Sequence, residues 1–137
     1  MHIVVMDGQG GRLGAQLVKE IKSSFPEILL TAIGTNALAT AAMLKAGADE
    51  GATGENPAVV AAKRADIIVG PIGIVIADSM LGEVTEKMAL AVSRASATRI
   101  LIPVNRCSNL IAGVGEQSTA AVLADAMEKI RLLLENA

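Results

Sequence analysis

Short apolar runs alternate with amphipathic stretches from one end of the chain to the other, and that alternation predicts a parallel sheet with crossover helices. His2–Met6 reads as a first strand. It runs through a glycine loop, Gly8–Gly14, into a helix to about Ser24, where Leu13, Leu17, Val18 and Ile21 recur at helical spacing. Ile28–Ile33 predicts a second strand, followed by a helix from Ala37 to about Lys45 with Gly47 as its C-terminal cap. Asp49–Glu55 is glycine-punctuated and reads as a loop or short extended piece. Asn56-Pro57 predicts an N-cap with proline opening a helix to about Arg64. Asp66–Val69 is expected as the third strand and Ile74–Gly82 has no clear period. A helix starting at Thr85 should run to about Ala97, followed by a fourth strand, Arg99–Val104. Leu110–Val114 is expected as a small fifth strand and Gln117–Glu135 as a long terminal helix. No repeat, low-complexity tract or linker interrupts the series, so one domain is expected. Its fold class is a three-layer α/β/α sandwich, Rossmann-like, with a mostly parallel sheet of four to five strands.

Composition narrows the function classes. The 137 residues are 52% hydrophobic and 19% charged, which excludes disorder. The apolar residues are mostly Ala, Val, Ile and Leu, suited to helices packed closely on a sheet; Phe25 is the single aromatic of the Phe, Tyr and Trp set. Without aromatic platforms, and with a formal charge of −2, nucleic acid is not an expected partner. The most apolar stretch, Ile67–Ala77, falls short of the ~20 residues of a bilayer span and contains Gly70, Pro71 and Gly73, so no membrane association is expected. Met1–Met6 lacks the basic region of a signal peptide, and the lone Cys107 fits a reducing compartment; a cytoplasmic protein is expected.

The most informative segment is Ile3-Val4-Val5-Met6-Asp7-Gly8-Gln9-Gly10-Gly11-Arg12-Leu13-Gly14, a buried strand passing through glycines straight into a helix. Glycines permit a tight turn and close approach of backbone to a pyrophosphate, and the helix then offers free N–H groups and the positive end of its dipole. The spacing of Gly8, Gly11 and Gly14 is GxxGxxG, with Gly10 extra, and Leu13 stands where the third glycine of GxGxxG belongs. No Lys-Ser/Thr pair follows, which excludes a Walker-type phosphate loop. Asp7 sets a carboxylate beside the expected phosphate, and the second strand ends in Thr35-Asn36, with no acid for the hydroxyls of an NAD ribose. Tight strand-to-helix packing is the structural alternative for the same glycines.

The GxxGxxG spacing resembles the loop of extended and atypical short-chain dehydrogenases. Gly10-Gly11-Arg12-Leu13-Gly14 followed by Gln16-Leu17 is most similar to the first loop of dihydrodipicolinate reductases, over about the first 20 residues. That resemblance implies NAD(P)H on the loop, with Arg12 beside the adenosine ribose or its 2′-phosphate. The reductase's substrate domain and catalytic residues have no counterpart here. Over its whole length the chain resembles a family of short bacterial proteins of unknown function. The segments carrying this are Asp7-Gly8-Gln9-Gly10-Gly11, Gly34-Thr35-Asn36-Ala37-Leu38-Ala39-Thr40, Gly51-Ala52-Thr53-Gly54-Glu55-Asn56 and Pro103-Val104-Asn105-Arg106-Cys107. The likeness implies no activity.

In an open parallel sheet, ligands sit outside the carboxyl ends of the strands. The expected cofactor-binding set is therefore Gly8, Gln9, Gly10, Gly11, Arg12, Leu13, Gly14, Gly34, Thr35, Asn36, Gly70, Pro71 and Asn105. Gly70 and Pro71 would bring backbone near a ligand ring, and Asn105 with Arg106 would meet a carboxylate or phosphate. Cys107 follows a cation but has no histidine as base, since His2 starts the first strand; a small buried hydrophobe is its expected role. Asp78 is expected to cap or pair locally, and no transition-metal site is expected from one His and one Cys.

Three functions remain open. One is a small nucleotide-binding protein, binding NAD(P) through its phosphates as a sensor or as a subunit of a larger assembly. A second is an enzyme of Mg-dependent or oxidoreductase type acting on a phosphate-bearing substrate, with Asp7 as metal ligand or base. The third is an interaction scaffold without ligand. A homo-oligomer is expected, with Ile72–Leu81 as the candidate dimer surface.

Overall fold

The computed structural model describes residues 1–104 and 108–137. Five strands and five helices alternate: β1 His2–Asp7, α1 Arg12–Ser24, β2 Leu29–Gly34, α2 Ala37–Ala46, β3 Glu50–Thr53, α3 Glu55–Arg64, β4 Ile67–Pro71, α4 Glu86–Arg94, β5 Thr98–Ile102 and α5 Thr119–Glu135. A single 3₁₀ turn, Ile72–Val75, leaves β4. The sheet order is β3-β2-β1-β4-β5, parallel throughout, so the strand order reverses between β1 and β4. This is the expected Rossmann-like α/β fold.

Strand alternation divides the interior into two cores. Ile3 and Val5 of β1 point to one side, with Leu17, Val18 and Ile21 of α1, Met43 of α2 and Leu123, Ala126 and Ile130 of α5. Val4 and Met6 point to the other, against Ala58, Ala61 and Ala62 of α3 and Met88 and Val92 of α4. Alanines on α3 let its backbone approach the sheet, which is how a chain almost free of aromatics fills its interior.

Two element predictions are corrected. Leu110–Val114 forms no strand, and the fifth strand is Glu50–Thr53, paired with β2 at the sheet edge. An edge strand with exposed Glu50, Gly51 and Thr53 needs no apolar run, so the hydrophobic pattern could not mark it. Asn56 is not the cap of α3. Gly54 holds that position, and Pro57 sits in the first turn, where the N–H it lacks would have no intrahelical partner. The expected caps of the neighbouring helices are present: Thr85 Oγ1 accepts from Met88 N at 3.2 Å, and Gly47, at φ 122°, closes α2.

The expected dimer surface is narrower than the stretch first suggests. Ile74 is fully buried, Val75 and Met80 pack on the second core, and only Leu81, 97% exposed, stands out from Ile72–Leu81. The absence of period in this stretch reflects a turn folded inward.

Close strand packing makes Gly70 a sharp test of the architecture. A Cβ there would lie 2.3 Å from the Met6 carbonyl oxygen of the adjacent strand, a backbone atom that cannot swing away. Gly70→Ala should therefore cost about 3 kcal/mol of stability. Urea denaturation checks this, and a change within 1 kcal/mol would contradict the strand packing.

Candidate functional site

Asp7 is the last residue of β1 and only 5% exposed. Its Oδ1 accepts from the Gly8 amide at 2.8 Å and its Oδ2 from the Gly14 amide at 2.7 Å. The chain turns between them, with Gly11 N donating to the Gly8 carbonyl at 2.9 Å. Gly11, at φ 71°, occupies the N-cap position of α1, and its side-chain space is filled by the α2 backbone, 2.7 Å from Ala39 Cα. Gly14 packs equally tightly, since a Cβ there would meet Met43 Sδ at 2.6 Å. Gly11 therefore serves the packing of α1 on α2 and Gly14 that of α1 on both β1 and α2, and a substitution at Gly11 reports on folding before it reports on ligand.

The turn leaves other groups open. Gly10, Arg12 and Leu13 donate no backbone hydrogen bond among the described residues, and a Cβ on Gly10 would meet nothing nearer than Arg12 Cγ at 4.0 Å. Arg12 is exposed and makes no ion pair among them. A cavity of about 410 Å³ lies here, lined by Asp7 to Leu13, Gln16, Val104 and Thr119. Its volume falls within the range of small-molecule sites. Thr119 opens α5, so two helix starts border the same space.

The carboxyl end of β2 is tied to this turn by a residue from elsewhere in the chain. Glu83 Oε1 accepts from Thr35 Oγ1 at 2.7 Å, Asn36 Nδ2 at 2.7 Å and the Gln9 amide at 2.9 Å. Asn36 Nδ2 also donates to the Gln9 carbonyl at 2.9 Å, while its Oδ1 caps α2 through Ala39 N. Met80 covers Gly8, where a Cβ would meet Met80 Sδ at 2.6 Å and Thr35 Oγ1 at 2.5 Å.

The two carboxylates titrate in opposite directions. Burial pushes Asp7 above the ordinary carboxylate range, against the amides of Gly14 and Gly8, and the charge of Glu83 adds to the rise. The Thr35 hydroxyl, with the Gln9 and Asn36 donors, holds Glu83 below it despite partial desolvation.

Of the expected set, Gly8, Gln9, Gly10, Gly11, Arg12 and Leu13 line the cavity, whereas Gly14 lies buried beneath it. Gly34, Thr35 and Asn36 are joined to the turn through Glu83 and Thr35 N, outside the cavity lining. Gly70 and Pro71 are buried in the sheet and do not line it, because Gly70 faces the Met6 carbonyl. Asn105, Arg106 and Cys107 lie outside the described residues. Asp78 takes part in a local turn, its amide donating to the Val84 carbonyl at 2.8 Å. Glu83, Gln16, Val104 and Thr119 were not foreseen. For Glu83 a signal existed: it and Asp78 are the only charged residues in the stretch Ile72–Val84. A larger recess, about 600 Å³, runs along β5 and α5 beside Ile100, Ile102, Val122 and Leu133, away from the glycine turn.

Asp7 spends both carboxylate oxygens on backbone amides, which turns it away from the metal-ligand or base role considered for it. Among the described residues no group of three or more His, Cys, Asp or Glu side chains is placed to hold a metal ion, and no helix is long and apolar enough to cross a membrane.

The chain belongs to the DUF3842 family, a domain of unknown function whose signature matches residues 2–135. No curated protein matches it in sequence. Among solved structures it is similar to the dodecameric FMN-dependent UbiX-like decarboxylase of Escherichia coli O157:H7. The identity is 15%, with 95% of this chain and 94% of that chain covered and a TM-score of 0.46.

Asp7→Asn tests the clamp. Asparagine has one acceptor oxygen, so its NH₂ would face the second amide, and about 1–3 kcal/mol should be lost. Because the folded-state pKa of Asp7 is raised, the native state binds its proton first, and this residue's contribution grows as pH falls toward the carboxylate range. The gap in melting temperature between wild type and Asp7→Asn should therefore widen from pH 7 to pH 4.5; a gap that narrows would show the buried carboxylate is not destabilised by its site.

Proposed function

We propose that this member of the DUF3842 family binds a phosphate-bearing nucleotide cofactor at the start of α1. The phosphate would rest on the amides of Gly10, Arg12 and Leu13, with the Arg12 guanidinium beside it. The observation that carries this reading is that these amides, at the positive end of a 13-residue helix, have no acceptor among the described residues and lie on the wall of a cavity of about 410 Å³. Any helix start leaves such amides without intrahelical partners; here they face a cavity that also holds an exposed arginine. The cofactor class favoured is the dinucleotide NAD(P), the class for which this strand order and a glycine turn at the end of β1 are suited.

Binding without chemistry is the better reading of the cavity. Its described lining offers Asp7, already bound at both oxygens, with Arg12, Gln16 and Thr119 as the other polar side chains besides Gln9. No free general base is among them. The role is that of a sensor or a subunit. A homo-oligomer belongs to the same proposal, with Leu81 as its apolar contact; sedimentation in which wild type and Leu81→Asp both run as monomers would remove that part.

Gly10→Asp separates ligand binding from folding. The space around Gly10 is open and its φ is not left-handed, so stability should change by less than about 1 kcal/mol. A carboxylate beside the free amides should repel an anionic ligand. In a thermal-shift panel of NAD⁺, NADP⁺, NADH, NADPH, ADP and FMN, a ligand at 100 times its Kd adds about 2.7 kcal/mol to the wild type. That shift should vanish in Gly10→Asp and fall at least tenfold in affinity in Arg12→Ala. A panel that shifts neither wild type nor variant, at millimolar ligand, rejects the proposal.

A further inference from the structure

Nucleotide-binding sheets with this strand order commonly end the second strand on a carboxylate that takes the ribose hydroxyls. Here β2 ends in Gly34-Thr35-Asn36 and has no such acid of its own. A carboxylate nevertheless reaches that place. Glu83 arrives from the turn between the 3₁₀ turn and α4 and sits on Thr35, Asn36 and Gln9 by three hydrogen bonds, all to Oε1. Its Oε2 accepts no hydrogen bond among the described residues, and the side chain is only half-buried.

The turn that presents Glu83 is shaped for rigidity. Asp78, Met80 and Leu81 all have left-handed φ, at 65°, 57° and 58°, a conformation costly for side-chain-bearing residues. Internal bonds hold it: Asp78 N to the Val84 carbonyl at 2.8 Å, Val84 N to the Ser79 carbonyl at 3.2 Å, and the buried Ser79 Oγ to the Gly73 carbonyl at 2.5 Å. Met80 wedges against Gly8 in the same turn.

We propose that Glu83 is the ribose-recognition residue of the cofactor site, its free Oε2 accepting from a ribose hydroxyl, so that the site selects a nucleotide with an unmodified 2′-hydroxyl over one carrying a 2′-phosphate. This rests on the cofactor reading above and narrows its ligand class. The side-chain donors at the end of β2 agree with it. The Thr35 hydroxyl proton is on Glu83, both Asn36 Nδ2 protons are used, on Glu83 and on the Gln9 carbonyl, and the Gln9 amide is on Glu83. These side-chain donors and the Gln9 amide are spent, leaving the first backbone amides of α2 as the donors there, while Oε2 offers an acceptor to a hydroxyl. A 2′-phosphate would meet a carboxylate at contact distance. Arg12 is the opposing influence, as the cation on the cavity wall, and the test below weighs the two.

Glu83→Gln is the informative variant. Its carbonyl oxygen can still receive Thr35, Asn36 and Gln9, while its amide puts a donor where Oε2 stood. Dissociation constants of NADH and NADPH are measured by calorimetry for both chains, with the unliganded melting temperature as control. Wild type should bind NADH at least tenfold tighter than NADPH. In Glu83→Gln the ratio should fall to threefold or less, through weaker NADH and stronger NADPH. Equal weakening of both ligands, or no change, would make Glu83 a structural strut and overturn the inference. Wild type binding NADPH as tightly as NADH would do the same, with Arg12 governing the ribose; this arm needs no variant and decides the matter even if Glu83→Gln does not fold. Binding of FMN or ADP that Gly10→Asp abolishes, without binding of either dinucleotide, would sink this inference and leave the cofactor reading standing. No binding of any of these compounds removes both.

Discussion

A buried carboxylate holding two backbone amides determines how the rest of the glycine turn is used. Asp7 ends the central strand, and with Oδ1 on Gly8 and Oδ2 on Gly14 it draws the first turn of α1 down onto β1. Desolvating a carboxylate is costly, and here two N–H donors and the positive end of α1 offset the cost. The draw brings α1 so close that Gly14 lies against Asp7 Cβ and Met43, and Gly11 against Ala39. A side chain at Gly14 would force α1 away from β1, and one at Gly11 would force it away from α2. The packing role of these glycines follows from the clamp, as does the exposure of the amides it does not reach.

The same clamp alters the electrostatics expected of such a turn. A negative charge is already seated at the helix start, so an incoming anion meets a site partly neutralised from within. It would have to approach from the outer side, where the amides of Gly10, Arg12 and Leu13 are unpaired among the described residues and the Arg12 side chain is exposed. Asp7's raised pKa belongs to this balance, since Glu83 stands close enough to raise it further. The two carboxylates therefore differ in kind. Asp7 is a buried structural anion; Glu83 is stabilised as a charge by three donors and keeps one oxygen for other partners.

The architecture was readable because central parallel strands announce themselves. Ile3–Met6 and Ile67–Val69 are buried on both faces and carry unbroken apolar runs. Edge strand β3 was not readable for the converse reason, being mostly exposed, with Gly51 where Leu44 leaves little room. At the site, the glycine spacing located the turn but could not assign duties within it. Whether a glycine serves packing or ligand depends on what lies opposite, and Ala39, Met43 and Thr40 come from α2, distant in sequence. Asp7 was recognisable as an anomaly, yet its orientation was not, because both of its partners are backbone. Glu83 was missed because its importance lies in joining β2 to the turn across 47 and 48 residues of sequence. The carboxylate that completes the end of β2 follows directly on the stretch without period, Ile74–Gly82.

Both ends of the sheet keep polar groups in reserve, but of different kinds. At the amino edge His2 and Glu50 both pair through Thr31 and the His2 amide is received by Asp66, while the Arg64 guanidinium, bordering a recess of about 350 Å³, has no partner among the described residues. At the carboxyl edge, Asp7, Thr35 and Asn36 are well paired; three amides and the Arg12 guanidinium on the cavity wall, and the second oxygen of Glu83 outside that lining, have no acceptor or donor among the described residues. Amides and a guanidinium suit an anion, and a carboxylate oxygen suits a hydroxyl. A phosphate joined to a ribose presents both in one molecule, so a single ligand would satisfy the groups left open at the carboxyl edge.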